Sequence, residues 1–343
     1  MKFAIIGSGN TGQALAAYLA SKGADCILNT RDTEKQQRIA YEGIEATGDI
    51  SGHFRVPITC AMEEAVSGAD YILVMTIAGA HREVAERLKP LLSAGQRVLI
   101  FNSNWGAFQF GQVLGSDIAD KDLIIAETAA QLFLATTTSP GKVRLSVKEK
   151  VYVSATDPEK TGGLLEHLAQ YFPQFVAGAS IFETTLSSTN PVIHVPITLF
   201  NAVRVENAQH FLFYGEGVSQ RIVDLILHID RERMAVAKAM GCEIDDVLSA
   251  INSFWEIKHD NLYDALTKNE TYLRSVGPKS FGHRFLTEDV PYGIAPVARL
   301  GRILGIDTPY TEDLLQTLDM LLGKGFFTGG PQFAAGELPI SVS

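Results

Sequence analysis

Gly7-Ser8-Gly9-Asn10-Thr11-Gly12 lies between the apolar run Phe3-Ala4-Ile5-Ile6 and the helix-forming stretch Gln13-Ala14-Leu15-Ala16-Ala17-Tyr18-Leu19-Ala20. A short continuous apolar run is expected of a strand buried on both faces. Glycines at this spacing suit three separate tasks: a tight turn, close approach of the backbone to a pyrophosphate, and close helix–strand packing. The helix that follows would aim its free N–H groups at the phosphates. A bare G-x-G-x-x-G is weak evidence. Here a strand precedes it, a helix follows, and Cys26-Ile27-Leu28 reads as a second strand, so the confirming context is present. The first half of the chain is thereby constrained to βαβ units that bind a dinucleotide. Gly7, Ser8, Gly9, Asn10, Thr11 and Gly12 are the first candidate cofactor-binding residues.

The alternation continues downstream. Helices are expected over Thr33–Tyr41, Arg82–Leu92 and Ala107–Leu114, with strands at Tyr71–Met75, Arg97–Phe101 and Leu123–Ala126. Repeated βα units predict a parallel, doubly wound Rossmann sheet. Val143–Val153 reads as a hairpin around Lys148-Glu149-Lys150, followed by a helix over Thr161–Tyr171 and a last strand over Gln174–Phe182. Beyond Thr185 helical patterns dominate: Pro191–Glu206, Ser219–Met240, Ile244–Trp255, Leu262–Thr267, Gly293–Leu304 and Glu312–Leu322, with a loop-like tail from Gly323. The expected architecture is therefore α/β: a Rossmann domain over residues 1–185, then an all-helical substrate domain over 186–343. Two domains also suit 343 residues at roughly 100–200 residues each.

Composition narrows the function classes. The net charge is −10 and the basic residues form no run, which argues against a general binder of nucleic acid or acidic membranes. Cys26, Cys60 and Cys242 are widely spaced, with no CxxC or zinc pattern, so neither a metal site nor a disulfide framework is expected. Met1-Lys2 leads straight into the first strand with no cleavage region, and no apolar run is long enough to span a membrane. A cytoplasmic protein acting on small molecules is expected. A homodimer through the helical half fits this picture, though no exposed stripe marks one.

The end of the second strand bears on which dinucleotide is bound. An NAD site usually carries an acidic residue about 20 residues along to accept from the ribose 2′-OH. This chain has Leu28-Asn29-Thr30-Arg31-Asp32, with no carboxylate directly after the strand. Asn29, Thr30 and Arg31 are donors suited to a 2′-phosphate, and Arg31 can stack on adenine. NADP(H) is therefore favoured over NAD, with Asp32, one step further on, as the counterargument.

In the second half, Asn190, His194 and Thr198 recur every four residues, which places them on one helix face, and Asn201 follows. A histidine can exchange a proton near pH 7, as a reaction coupled to hydride transfer requires. Spacing alone leaves His194 open between a core histidine and a catalyst, and Asn190-Pro191 reads equally as an N-cap followed by the first helical residue. Further on, Gly277-Pro278 leads to Arg284-Phe285-Leu286-Thr287-Glu288-Asp289-Val290. Arg284 can hold a carboxylate through two parallel hydrogen bonds, and Asp289 can orient a histidine. A local Arg–Asp pair with a helix cap accounts for the same residues.

Taken together, Gly7-x-Gly9-x-x-Gly12, the strand-end Asn102, Glu127-Thr128, Asn190-x-x-x-His194, Asn201-Ala202, and Gly277-Pro278 with Arg284-x-x-x-x-Asp289-Val290 resemble the octopine/nopaline (opine) dehydrogenase family, its bacterial members in particular. The likeness covers nearly the whole length, and the paired motifs of the second half are far more specific than the glycines. The resemblance implies that His194 is the catalytic acid/base, Asp289 its partner, and Arg284 the residue near a substrate carboxylate. It implies reductive condensation of an amino acid with a 2-oxo acid such as pyruvate, using hydride from the nicotinamide. Asn190 and Thr198 would then contact substrate from the same helix face. Glu127 and Thr128, at the end of a strand, would lie where open α/β sheets bind ligands.

The sequence departs from the family pattern at two places. Thr30 stands where the similar relatives carry an acidic residue, which weakens an NAD assignment. Ser103-Asn104-Trp105-Gly106 replaces a plainer proline–glycine loop, so Trp105 is expected to shape a different substrate pocket. Two other readings stay open. One is an NADP-dependent ketopantoate- or 3-hydroxyacid-type reductase. Those enzymes usually use a lysine in the linking helix, and this chain has none between Lys160 and Lys238. The other is a non-enzymatic NADP(H)-sensing protein, which would not need His194, Arg284 and Asp289 together.

Overall fold

A computed structural model describes residues 1–254, 258–270, 272–323, 325 and 329–338. The chain forms two compact units, Met1–Thr185 and Leu186–Ser343.

The first unit is α/β and holds twelve strands: β1 (Lys2–Ile6), β2 (Asp25–Asn29), β3 (Ile44–Gly48), β4 (Gly52–Phe54), β5 (Ile58–Thr59), β6 (Tyr71–Val74), β7 (Arg97–Ile100), β8 (Ile124–Thr128), β9 (Phe133–Ser139), β10 (Lys142–Val147), β11 (Val151–Ala155) and β12 (Phe175–Ala177). Eight of them form the main sheet in the order β12-β11-β8-β7-β6-β1-β2-β5. The pairs from β5 through β8 are parallel. Their sequences are near-continuous apolar runs, and Phe3, Ile5, Tyr71, Leu73, Leu99 and Phe101 are buried in one core. After β1 the chain builds outward on one side, through β2 to β5, and then returns to the other side of β1 with β6. That reversal opens a crevice at the C-terminal ends of β1 and β6, where open α/β sheets bind ligands.

The outer part differs from the expected hairpin over Val143–Val153. The hairpin is instead β9 with β10, antiparallel and turning at Pro140-Gly141, where Gly141 has φ +82°. Residues 148–150 only connect β10 to β11. β11 joins the main sheet antiparallel to β8, which makes that sheet mixed rather than wholly parallel. β9 and β10 belong to a second sheet, ordered β4-β3-β10-β9. Its buried residues Ile44, Ala46, Phe133, Val143 and Leu145 share the core that encloses the helix Asn10–Ser21. With sheets on two sides, that helix buries every residue from Gly12 to Leu19, Gln13 included. Gln13 stays satisfied by donating to the Ser8 carbonyl and accepting from Gly141 N–H, which ties the glycine loop to the hairpin turn. The last strand is also shorter than expected: β12 stops at Ala177, and Ile181–Leu186 is helical.

Among its described residues the second unit is helical apart from one isolated bridge between Leu212 and Val276. Its described helices are Asn190–Phe200, Ala202–Glu206, Gln220–Ala239, Val247–Phe254, Leu262–Thr267, Arg284–Thr287, Ala295–Leu304 and Pro309–Leu322. The single helix expected over Pro191–Glu206 breaks at Asn201, whose Nδ2 donates to the carbonyls of Ile197 and Gly217. The helix expected from Ile244 begins at Val247, because Asp246 caps it by accepting from Leu248 and Ser249 N–H. Its expected end at Trp255 lies outside the described residues. The helix expected from Glu312 starts earlier, at Pro309, where the Glu232 carboxylate accepts from Tyr310 and Thr311 N–H. Before Ala295–Leu304 the chain runs through one π-helical turn, Val290–Ile294, directly after Asp289.

Candidate active site

The glycine loop after β1 has the geometry its three glycines suggest. Gly7 adopts φ +116°, and a Cβ there would stand 2.9 Å from the Met75 carbonyl oxygen after β6. A Cβ on Gly12 would come within 1.9 Å of the Gly7 carbonyl oxygen, so only glycine lets the helix start this close to the turn. A Cβ on Gly9 would meet nothing within 4 Å. Packing therefore does not demand glycine there, whereas an approaching phosphate would. No side chain caps the helix Asn10–Ser21 at Gly9. A helix start with no side-chain cap and room beside Gly9 fits a pyrophosphate. Asn10 accepts from the Thr137 hydroxyl at 2.5 Å.

The strand-end residues divide into two groups. Asn29 is buried and donates to the Thr59 carbonyl at 3.1 Å. Thr30 is buried too; its Oγ1 accepts from Ser8 Oγ at 2.6 Å and from Asp32 N–H at 3.2 Å. Through these bonds the side chains of Asn29, Thr30 and Ser8 tie the glycine loop to the ends of β2 and β5. Asp32 caps the helix Thr33–Glu42 by accepting from Lys35 N–H at 2.9 Å. Arg31 is presented to solvent beside the exposed Asp32, with Nη1 3.4 Å from Glu83 Oε1.

At the ends of β7 and β8, Asn102, Asn104 and Trp105 take φ of 66°, 49° and 64°. Such a left-handed run costs energy in non-glycine residues. It is held by Asn102 N–H to Thr128 Oγ1, Ser103 N–H to the Thr128 carbonyl and Trp105 N–H to Thr185 Oγ1. Glu127 is fully buried, accepts from Ala107 N–H at 2.8 Å, and lies within hydrogen-bond reach of the hydroxyls of Thr184 at 3.0 Å and Thr185 at 2.5 Å. Burial pushes its carboxyl up to about 7 against the downward pull of those three bonds. Glu127 and Thr128 were expected to touch substrate. The structure instead uses both to anchor the strained loop and the start of the helix Gly106–Leu114. Trp105, expected to shape a substrate pocket, is buried against Phe108 and Phe182 at centroid distances of 6.3 and 6.2 Å.

In the second unit, His194 and Asp289 meet. His194 Nδ1 lies 2.7 Å from Asp289 Oδ2, and the residues are 5% and 2% exposed. A carboxylate only accepts, so Nδ1 carries the proton of this bond. Glycines allow the encounter. A Cβ on Gly293 would fall 2.3 Å from Pro191 Cγ, and one on Gly277 would fall 2.2 Å from the Phe211 ring. Phe285 stacks on the imidazole, with centroids 3.9 Å apart. Arg284 joins the group: Nε donates to Glu288 Oε2 at 2.9 Å, and Nη2 stands 4.0 Å from Asp289 Oδ1.

The other residues of the polar stripe are placed less uniformly. Asn190 is exposed at the first helical position, and Thr189 rather than Asn190 is the N-cap. Thr198 is fully buried, and its hydroxyl has no hydrogen-bond partner among the described residues. Sequence reading missed Tyr214, whose hydroxyl lies 3.0 Å from His194 Nε2. The only sequence signal was the aromatic run Phe211-Leu212-Phe213-Tyr214 before Gly215. Among the described residues there is no group of three or more His, Cys, Asp or Glu placed to hold a metal. None of the described helices is long and apolar enough to cross a membrane.

Comparisons with known proteins match the two parts of the chain to two families. Residues 177–322 match the family described as NAD/NADP octopine/nopaline dehydrogenase, alpha-helical domain, and residues 3–157 match ketopantoate reductase PanE/ApbA. The chain is 30% identical to an opine dehydrogenase of Arthrobacter sp. (strain 1C), over 94% of this chain and 91% of that one. It is 24% identical to the octopine dehydrogenase of Pecten maximus, over 96% and 92%. Among solved structures, octopine dehydrogenase in complex with NADH and agmatine has a similar fold, with a TM-score of 0.78 at 21% identity over 94% of this chain and 90% of that one. Yersinopine dehydrogenase with NADP+ bound gives a TM-score of 0.72 at 13% identity, over 95% and 91%.

Proposed function

The chain belongs to the octopine/nopaline dehydrogenase family, and from that membership we propose that it condenses an amino acid with a 2-oxo acid such as pyruvate and reduces the resulting imine with NADPH. The buried His194–Asp289 pair at 2.7 Å carries this reading. The amino nitrogen adds to the carbonyl carbon, water leaves, and the C=N bond is reduced. When bound, the nicotinamide supplies the hydride. Loss of water requires a proton at the departing oxygen, and the imidazole of His194 is the group that provides it. Asp289 fixes the ring and stabilises the imidazolium formed when Nε2 is protonated. Arg284 would hold the 2-oxo acid carboxylate, and Asn190 lies on the same helix for further polar contact.

In this reading residues 1–185 form the dinucleotide-binding domain and residues 186–343 the substrate domain. Gly7, Gly9, Asn10, Thr11 and Gly12 cradle the pyrophosphate, with Asn102 at the end of β7. The solved relatives include one with NADH and one with NADP+, so the choice rests on Arg31. Its exposed guanidinium suits a 2′-phosphate, and the one carboxylate near the end of β2, Asp32, spends one oxygen as a helix cap. The widely spaced cysteines suit a reducing cytoplasm.

A screen of NADPH and NADH oxidation with 2-oxo acids, with and without an amino-acid panel, tests the proposal. Oxidation that needs both substrates supports it. Oxidation with a 2-oxo acid alone turns the reading to a simple reductase, and cofactor binding without any turnover turns it to a sensor.

A further inference from the structure

In the structure both nitrogens of His194 are engaged. Nδ1 donates to Asp289, so in the neutral ring Nε2 is the acceptor, and the Tyr214 hydroxyl donates to it at 3.0 Å. The nitrogen that should serve a substrate therefore already faces a phenol. The imidazole has little room to turn elsewhere: Phe285 covers one face at 3.9 Å and Phe213 stands edge-on at 5.9 Å. Tyr214 is held as firmly. Its ring stacks on Tyr272 at 4.7 Å and meets Phe213 edge-on at 5.0 Å.

We propose that the Tyr214 hydroxyl, rather than the imidazole itself, touches the reacting oxygen of the substrate and relays the proton of His194 to it. The inference rests on the reading of His194 as the acid/base. In the dehydration step the carbinolamine nitrogen forms the C=N bond with its lone pair as the C–O bond breaks. The departing oxygen takes the proton of Tyr214 and leaves as water. At the same time the Tyr214 oxygen takes the proton from Nε2 of the imidazolium, which returns to the neutral ring hydrogen-bonded to Asp289. Two protons move together and no phenolate accumulates. Burial, reinforced by the nearby Tyr272 and Asp289, holds the Tyr214 hydroxyl well above the usual phenol range, with Arg284 opposing. A free phenolate is therefore disfavoured, and the concerted transfer does not need one.

Tyr214→Phe keeps the ring and its stacking and removes only the hydroxyl. Under single turnover with saturating cofactor and substrates, the rate should fall on the order of 10–100-fold, with melting temperature and substrate affinity little changed. The rate of the unaltered enzyme should fall along a bowed curve as D2O replaces H2O, the mark of two protons in flight, and the variant's curve should be straight. A wild-type rate in Tyr214→Phe overturns the relay, as does tighter substrate binding at an unchanged rate, which would make the phenol a mere occupant of Nε2. A straight curve for the unaltered enzyme overturns it even if the variant fails to fold. His194→Ala measured alongside separates the two ideas: full activity there removes the acid/base reading itself, whereas an inactive His194→Ala beside a fully active Tyr214→Phe removes only the relay.

Discussion

Gly293 packs so tightly on Pro191 that a Cβ in its place would lie 2.3 Å from Pro191 Cγ and 2.4 Å from Pro191 Cβ. Pro191 lies just before His194 on one helix, and Gly293 is one turn beyond Asp289. The contact therefore sets how closely the two segments bearing the dyad approach each other. Gly293→Ala must push them apart, because both neighbours are parts of a rigid ring. The expected cost is about 1–3 kcal/mol of stability, typical of overpacking. Turnover should fall more than the melting temperature alone would explain, since a hydrogen bond of 2.7 Å tolerates little displacement. Denaturation midpoints and turnover measured together check this. An unchanged pair of values means the contact has slack.

His194→Ala should reduce amine-dependent turnover by about 10² or more, the usual range for removing a general acid/base. Asp289→Asn should also impair turnover, because an amide can present its N–H₂ to Nδ1 and so favour the wrong tautomer. Cofactor affinity should persist in both variants, since the glycine loop belongs to the other unit. Fluorescence titration with NADPH and steady-state assays separate the two effects. Loss of NADPH binding in either variant would point to a structural role.

What sequence could show here depended on how local each signal was. The glycine loop was readable because its three positions, its strand and its helix are contiguous. His194 and Asp289 lie 95 positions apart, and only family resemblance paired them. Tyr214 was invisible, because its contact with Nε2 depends on how an irregular segment folds back through the close approach of Gly277 to Phe211. At Asn29, Thr30, Glu127 and Thr198 it was burial that sequence did not show. Their chemistry suggested ligand contacts, but burial had already committed Asn29, Thr30 and Glu127 to internal partners and closed Thr198 off from solvent. The hairpin was misplaced because β10 and β11 both carry paired valines, and the true partner of β10, β9, was overlooked.

Arg31→Ala should weaken NADPH binding about tenfold or more while leaving NADH nearly unaffected, as loss of a charged contact to a 2′-phosphate predicts. Glu83 provides a second arm. It lies 3.4 Å from Arg31 and 3.8 Å from Arg87, so its carboxylate sits beside the proposed phosphate position. Glu83→Gln should tighten NADPH modestly and leave NADH unchanged. The pair is exposed, so both effects should shrink as salt rises. Dissociation constants for the two cofactors at two ionic strengths decide it, and equal changes for NADPH and NADH would remove Arg31 as the discriminating residue.

Glu127 links stability to pH with a sign opposite to that of a salt-bridged carboxylate. Burial raises its carboxyl from an ordinary 4.5 to about 7 in the folded protein. The Thr184 hydroxyl has a single proton but three acceptors in reach: Glu127 Oε1 at 3.0 Å and the carbonyls of Ile181 and Ser180 at 2.9 and 3.3 Å. When that proton goes to a carbonyl, a protonated Glu127 can donate to the threonine and an ionised one cannot. Between pH 4.5 and 7 the folded chain thus holds a proton that the unfolded chain has released. Stability from this site is full below the lower value, declines as pH rises, and is gone above the upper one. The decline amounts to at most about 3 kcal/mol at 1.36 kcal/mol per pH unit. Glu127→Gln resembles the protonated acid, with an oxygen for Ala107 N–H and an N–H₂ for the threonine oxygens. Relative to the parent it should therefore gain stability steadily across that window and level off beyond it. Urea denaturation at pH values from 5 to 8 measures the difference, and one that stays constant with pH would show that Glu127 is ionised throughout.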